Sequence, residues 1–184
     1  MKKLLLLFLL LPVFCQAREI SFSMGGGLAL AGLSGNGYAS NLFAAPSGMF
    51  SAAISFGALK AGVRADLFQV KSELTTIDVT GQEYKDRFAY YDPAFSFSAF
   101  IAKVFHHRAL DVSIGVHAGM VTGVNKAVLL GQSSHPGFSA GIDAGVTHYF
   151  NHHIGVFGNL SPRYIFNTTD ALAFPLNLGV SFRL

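Results

Sequence analysis

The sequence predicts an all-β fold: an eight-stranded antiparallel up-and-down β-barrel that spans a membrane. Three observations lead to this fold class. The chain begins with an export segment, its composition is apolar without a helix-length apolar run after residue 17, and apolar residues then alternate with small or polar ones over eight segments. A period of two indicates strands with two unlike faces, and eight such strands can close into a barrel.

The first 17 residues have the three parts of a secretory signal peptide. Residues 1–3 include two lysines, Leu4 to Phe14 is an apolar stretch of eleven residues, and Ala17 ends a small-x-small cleavage site. A membrane-spanning helix needs about 20 apolar residues, so this stretch is too short to be an anchor. Bulky residues before Cys15 disfavour a lipoprotein. We therefore predict cleavage after Ala17 and one barrel domain over residues 18–184.

Composition excludes several classes of function. Loss of Lys2 and Lys3 with the signal peptide leaves eleven basic and ten acidic residues, so nucleic acid is not an expected partner. The one cysteine, Cys15, leaves as well, which excludes disulfide and thiol chemistry. The chain is 51% hydrophobic with a mean hydropathy of +0.44, but its apolar residues are too dispersed for a helical membrane protein. No cofactor or metal is expected.

The first and last segments show the alternation most clearly. In the last, every even position from Leu172 to Leu184 is apolar, while the odd positions are small, polar or charged. The even positions from Ile20 to Leu30 are mostly apolar in the same way. Segments of about 10 to 14 residues can cross a bilayer at the usual tilt. The eight predicted strands are 19–30, 48–57, 59–71, 93–105, 109–122, 137–150, 154–166 and 172–184.

The connections between the strands alternate in length. Short turns are predicted at 57–59, 105–108 and 150–153, and longer loops at 32–47, 72–92 and 123–136, with a brief last one at 167–171. In single-chain outer-membrane barrels the short turns are periplasmic, so both termini are predicted to face the periplasm. Unpaired backbone groups are costly in lipid, so the first strand must pair with the last. Closure predicts a contact between Glu19 and Arg183; the alternative is two separately solvated charges at the rim.

The C-terminal residues 177–184 resemble the β-signal of outer-membrane proteins. Asn177, Gly179, Phe182 and Leu184 occupy its polar, glycine and two hydrophobic positions, although an aromatic residue is commoner at the last. The resemblance implies insertion by the barrel-assembly machinery. Any amphipathic terminal strand is the alternative explanation.

Together with the signal peptide and the eight segments, the β-signal makes the whole mature chain similar to small outer-membrane barrels of the OmpA or OmpX type. Residues 149–158 also resemble a turn-and-strand pattern of Bacteroidota barrels. The resemblance implies a location in the bacterial outer membrane, in contact with its lipid.

An eight-stranded barrel is narrow and is filled by its own side chains, so a wide pore is not expected. Charges inside it must be paired, and the sequence suggests Arg64 with Asp66 and His117 with Asp143 as pairs. The predicted interior polar network is Arg64, Asp66, Asp111, His117, Asp143, Asn159 and Arg163.

Two other functions can be compared with the residue pattern. Ser113, His117, Ser139 and Asp143 have the composition of a nucleophilic triad, which would suit a lipid-modifying enzyme, but residue type alone is weak evidence. The His-x-Ser pattern of lipid A deacylases is absent, because Phe150 follows His148 at the second position. A soluble lipocalin would need an apolar interior, which is the opposite of the pattern.

The remaining candidates are a metal site at the histidines and a partner-binding surface on a loop. Adjacent histidines at 106–107 and 152–153 point to opposite faces of a strand and rarely share one metal ion. The segment 72–92 is the longest and most charged loop, so a partner outside the cell would meet it first. The predicted function is a non-enzymatic outer-membrane barrel with a structural or surface-interaction role and no large pore.

Overall fold

The computed structural model describes residues 19–35, 38–39, 43–77, 83–123, 136–166 and 170–184. The predicted signal peptide, 1–17, lies outside these residues, and no helix within them is long and apolar enough to cross a membrane. The described strands are β1 (Glu19–Gly35), β2 (Tyr38–Ala39), β3 (Phe43–Phe56), β4 (Leu59–Ile77), β5 (Glu83–His107), β6 (Leu110–Thr122), β7 (Gly137–Tyr149), β8 (Ile154–Leu160), β9 (Arg163–Phe166) and β10 (Asp170–Arg183).

These strands form one antiparallel sheet that closes on itself. Neighbours along the chain pair from β1 with β3 through to β8 with β10, and β10 pairs with β1 from Ser21↔Arg183 to Ser34↔Asp170. β8 and β9 share one wall position, because both pair with β7 on one side and with β10 on the other in a single register. The two-residue β2 only extends β1. The predicted eight-stranded antiparallel barrel is confirmed.

The break between β8 and β9 falls at Ser161 and Pro162. Proline has no N–H to donate to the ladder, so the regular strand is interrupted there. The backbone nevertheless continues in the same direction and register. Backbone bonds continue on both sides: the Ser161 N–H donates to the Pro175 carbonyl at 3.0 Å, and the Ile142 N–H donates to the Pro162 carbonyl at 3.0 Å. Ser161 therefore remains an inward-facing, buried residue.

The two faces of the wall differ as the period-two pattern predicts. Large apolar side chains point outward and are exposed all around the barrel; Met24 is 59% and Leu178 is 65% exposed. Serines and charged residues point inward, and Ser96 and Asn177 are fully buried. An outward apolar face this extensive suits hydrocarbon rather than water as its solvent.

The two ends of the barrel differ in their connections. One end carries the turns at 57–58, 108–109 and 150–153 and is called the turn end here; the opposite end is the loop end. The second turn begins three residues later and ends one residue later than predicted, because the ladder of β5 and β6 continues as far as His107↔Leu110. Each of the first two turns leaves only two residues unpaired.

Two of the predicted loops are wrong over much of their length. β1 runs to Gly35 and β3 begins at Phe43, inside the loop predicted at 32–47. Most of the predicted loop 72–92 is a continuation of β4 and β5, paired as far as Ile77↔Glu83 with an irregularity between Glu73 and Thr75. The ladder continues there although the apolar alternation stops. A strand in water on both faces has no reason to alternate, so the pattern marks only the part of the strand that borders lipid.

The loop end of the interior is closed by apolar side chains. Eight buried residues pack there as one cluster, called the apolar plug: Ala29, Ala31, Phe68, Ala94, Val121, Ile165, Ala171 and Ala173. The alternation predicted an inward face of small or polar residues along the whole barrel, with alanine counted among the small residues. The interior is instead apolar at the loop end and polar towards the turn end.

Candidate functional site

Between the apolar plug and the turn end lies a buried group of polar side chains, called the central cluster: Arg64, Asp66, His117, Asp143, Ser161 and Arg163. Asp143 is its hub. One carboxylate oxygen accepts hydrogen bonds from Arg64 Nη1 and, at 2.8 Å, from Ser161 Oγ. The other lies 3.0 Å from Nδ1 of His117. Both oxygens are thus engaged, as a buried carboxylate requires.

Asp66 links the two arginines of the central cluster. Its Oδ2 lies 3.1 Å from Nε of Arg64 and 2.7 Å from Nη2 of Arg163. Arg163 Nη1 donates to Ser96 Oγ at 3.0 Å, and its guanidinium lies 5.7 Å from the centre of the Phe68 ring. Phe68 belongs to the apolar plug. The plug and the central cluster therefore pack as one continuous core.

A second group of polar side chains lies at the turn end, the rim cluster of Glu19, His106, Asp111, Tyr149 and Arg183. Arg183 lies at its centre: Nε is 3.1 Å from Glu19 Oε2 and Nη2 is 2.6 Å from Asp111 Oδ2. Its guanidinium also stacks over the Tyr149 ring at 3.7 Å. The predicted contact between Glu19 and Arg183 is confirmed.

His106 belongs to the rim, beyond the last outward-facing phenylalanine of β5. Its Nδ1 lies 2.7 Å from Asp111 Oδ1, and this hydrogen bond is the main cause that raises the pKa of His106. The imidazole is 49% exposed, so water screens the interaction and its energy is small.

The described inward charges balance one another. Four cations, Lys60, Arg64, Arg163 and Arg183, face four carboxylates, Glu19, Asp66, Asp111 and Asp143. Between the two clusters lie cavities of 60 and 20 Å³. Since one water needs about 15 Å³ measured in this way, these spaces suit a few water molecules and no larger solute. The barrel interior has the properties of a filled, neutral core.

The structure brings six of the seven predicted network residues together and separates the seventh. Both proposed pairs, Arg64 with Asp66 and His117 with Asp143, are in contact. Asn159 lies at the edge of the central cluster, with its side-chain oxygen within hydrogen-bond distance of Ser161 Oγ. Asp111 belongs to the rim cluster instead, because it lies on the first residues of β6.

Sequence reasoning overlooked Ser161 and Tyr149. Both occupy odd positions on strands whose odd positions face inward, so the alternation itself carried the signal. Serine and tyrosine were not counted among the charged candidates, although their hydroxyls and rings supply contacts to Asp143 and Arg183.

The four residues of the predicted assembly signal lie along β10. Asn177 is buried and its Oδ1 accepts from Ser47 Oγ at 2.7 Å. Gly179 faces Gly25 across the closing seam, and Phe182 and Leu184 are exposed on the outward face. In the closed barrel, therefore, only the two hydrophobic residues of the signal are accessible.

The triad candidates do not form a catalytic arrangement among the described residues. His117 contacts Asp143, but Ser113 Oγ donates to the Gly145 carbonyl at 3.4 Å, and neither Ser113 nor Ser139 is hydrogen-bonded to His117. In the same part of the chain no three His, Cys, Asp or Glu side chains are placed to hold a metal ion.

Comparison with solved structures tests the fold. Neisserial surface protein A superposes with a TM-score of 0.63 at 15% identity, over 89% of this chain and 96% of that chain. The fold is that of small outer-membrane barrels. A major outer membrane protein from Thermus thermophilus superposes with a TM-score of 0.57 at 12% identity, over 90% and 99% of the two chains. No protein-family model and no curated protein matches the sequence. The predicted resemblance to small outer-membrane barrels is confirmed for the fold.

Proposed function

We propose that this protein is an integral protein of the bacterial outer membrane, where it acts as a sealed scaffold that presents its loop end to the surroundings. The observation that carries the proposal is the contrast between the two faces of the wall. Its outward face is apolar and exposed around the barrel, and its interior is packed with paired charges. Such a wall is stable in hydrocarbon and leaves no wide aqueous path.

The chain's route to the membrane is part of the same proposal. Residues 1–17 act as a cleaved signal peptide, and Asn177, Gly179, Phe182 and Leu184 are read by the barrel-assembly machinery. The turn end and both chain ends then face the periplasm, and the loop end faces outward. The fold of the neighbours supports this orientation, because short turns are periplasmic in bacterial barrels of this type.

The hairpin of β4 and β5 is the proposed contact surface for an external partner. Among the described residues, β3 pairs with β4 only as far as Gly48↔Leu67 although β3 begins at Phe43, so beyond Leu67 the hairpin of β4 and β5 separates from β3 and leaves the wall. The ten residues from Glu83 to Asp92 extend roughly 30 Å at the usual rise of a strand. Segment 72–92 also carries the densest charge of the mature chain. A structural or surface-interaction role fits this arrangement better than transport.

The experiment that tests the proposal is refolding of the mature chain, residues 18–184, into phospholipid vesicles. A folded barrel should migrate differently on an SDS gel before and after boiling, and trypsin should cut only residues outside the wall. A chain that stays soluble and folded without detergent or lipid would overturn the membrane assignment.

In planar bilayers we expect no steady conductance of porin size; a large, stable conductance would contradict the sealed interior.

A further inference from the structure

The outward face of the wall carries almost no charge. Among the strand residues whose side chains the structure describes, Lys103 on β5 is the single outward-facing lysine, arginine, aspartate or glutamate. Its neighbours across the two ladders are Leu59 and Ile114. A charged side chain on the lipid face costs about 2–4 kcal/mol at the bilayer centre and little near the interface. Lys103 therefore requires an explanation.

The Lys103 ammonium group is turned towards the turn end. It lies 5.2 Å from the centre of the Phe105 ring, and Phe105 is the next outward residue in that direction. Within the described residues Lys103 has no carboxylate partner within salt-bridge distance. The described carboxylates near this end, Glu19 and Asp111, point inward and are bound to Arg183. The described part of the chain therefore supplies no counter-ion for Lys103.

The turn that follows β5 supplies a second, independent observation. Its two residues, Arg108 and Ala109, correspond to Gly57 and Ala58 in the turn between β3 and β4. The first residue of each turn is left-handed, with φ of 60° at Gly57 and 54° at Arg108. Glycine adopts that conformation without strain, whereas arginine does so at a cost of about 1 kcal/mol. An arginine retained where the matching turn has glycine indicates a use for its side chain.

These cations lie close enough to serve one ligand. Lys103 and His107 are four residues apart on the outward side of β5, which is about 13 Å at the usual rise. Lysine and arginine side chains each reach about two residues along a strand, about 6 Å at the usual rise, so Lys103 from one side and Arg108 from the other can both approach one phosphate that lies between them, beside Phe105.

We propose that Lys103, His107 and Arg108 form a binding site for the headgroup of an anionic phospholipid in the leaflet that surrounds the turn end. The phosphate neutralises Lys103, the acyl chains lie along the apolar wall beside Phe105, and the polar headgroup extends to Arg108. This proposal rests on the membrane location proposed above.

The test measures lipid selectivity by electron paramagnetic resonance. The mature barrel is refolded in phosphatidylcholine vesicles that contain a trace of spin-labelled phosphatidylglycerol or spin-labelled phosphatidylcholine. We expect the immobilised fraction to be about three times larger for phosphatidylglycerol. Lys103→Gln and Arg108→Gly should each bring this ratio close to one, and Lys103→Arg should preserve it. Arg108→Gly removes the strained residue, so the barrel should fold at least as well as the wild type.

A matched control distinguishes lipid selectivity caused by a local binding site from selectivity caused by the net charge of the protein. Lys71→Gln removes the same charge on β4, twelve residues beyond the turn end of that strand, and should leave the ratio unchanged. If it lowers the ratio as much as Lys103→Gln, or if the wild type shows no preference, the site does not exist. Both results require a barrel inserted in the vesicles. A chain that fails to insert would instead refute the proposed function, so the two failures are distinguishable.

Discussion

Arg183, the residue before the C-terminus, lies 3.1 Å from Glu19, the first residue of β1. Backbone hydrogen bonds join the two strands there as well: the Leu184 N–H donates to the Ile20 carbonyl at 2.8 Å, and the Ile20 N–H donates to the Leu184 carbonyl at 3.2 Å. The ion pair thus lies on the inward face of the wall, where the ladder of β1 and β10 ends. Closing the seam removes a sheet edge whose unpaired backbone N–H and C=O groups would be costly in lipid.

Arg183→Gln should weaken the closed barrel by about 2 kcal/mol, because it leaves Glu19 and Asp111 with weaker partners. The measurement is urea unfolding of the barrel in phospholipid vesicles, followed by circular dichroism. His152→Gln is the control, since it changes an exposed side chain at the same end to the same residue. Equal unfolding midpoints for the two variants would show that Arg183 does not stabilise the seam.

Asp143→Asn should be the most damaging substitution of a single interior charge. It weakens the bonds of Arg64, His117 and Ser161 at once, and loss of one partner from a buried ion pair costs about 3–5 kcal/mol. The matched control is Asp111→Asn, the same change in the partly exposed rim cluster, which should cost less than half as much. If Asp111→Asn lowered the unfolding free energy more than Asp143→Asn, the rim cluster would be the main stabilising network.

The His106 side chain should titrate above the ordinary histidine value of about 6.5. Its hydrogen bond to Asp111 raises the pKa in the folded barrel, so folding favours the protonated form. The contribution to stability is complete below the unfolded pKa and is lost as pH rises through the folded pKa. Histidine proton shifts measured by NMR report the pKa directly. Asp111→Asn should lower it, and an unchanged midpoint in that variant would rule out Asp111 as the cause.

The strands that border lipid were predictable because lipid imposes the alternation. From Leu172 to Leu184 the outward side chains must be apolar, and the inward ones must be small or paired, so the sequence carries the pattern residue by residue. The same constraint predicted the contact of Glu19 with Arg183. Beyond Leu67 β4 no longer pairs with the described part of β3, and although its ladder with β5 continues, the sequence carries no periodic signal between 72 and 92.

The polar residues of the interior and two of their pairs were predictable, but the apolar plug and the contacts that cross the barrel were not. Alternation alone placed Arg64, Asp66 and Asp143 inward, but which charges meet depends on the stagger of strands around the barrel. Arg64 and Asp143 lie on strands β4 and β7, which are not neighbours in the sheet, and they meet across the interior. Such a contact has no signature in a single sequence.

Gly179 should tolerate no side chain, because a Cβ atom there would lie 2.1 Å from the Met24 carbonyl oxygen. That oxygen belongs to the backbone of β1 and can move only if the seam opens. Gly179→Ala should therefore prevent refolding into vesicles or lower the unfolding free energy by more than about 2 kcal/mol, above about 1 kcal/mol for a typical substitution. Gly48→Ala is the control, since its Cβ would find its nearest neighbour at 3.9 Å, an ordinary contact.

The refolding assay contains no assembly machinery, so it separates the two roles that Gly179 could have. If Gly179→Ala refolds and unfolds like the wild type in vitro, the close approach of β1 and β10 does not require glycine, and the residue matters only as part of the assembly signal. If it fails in vitro while Gly48→Ala folds normally, the seam itself requires glycine. A chain in which both variants fail would show instead that the wall is intolerant of any added side chain.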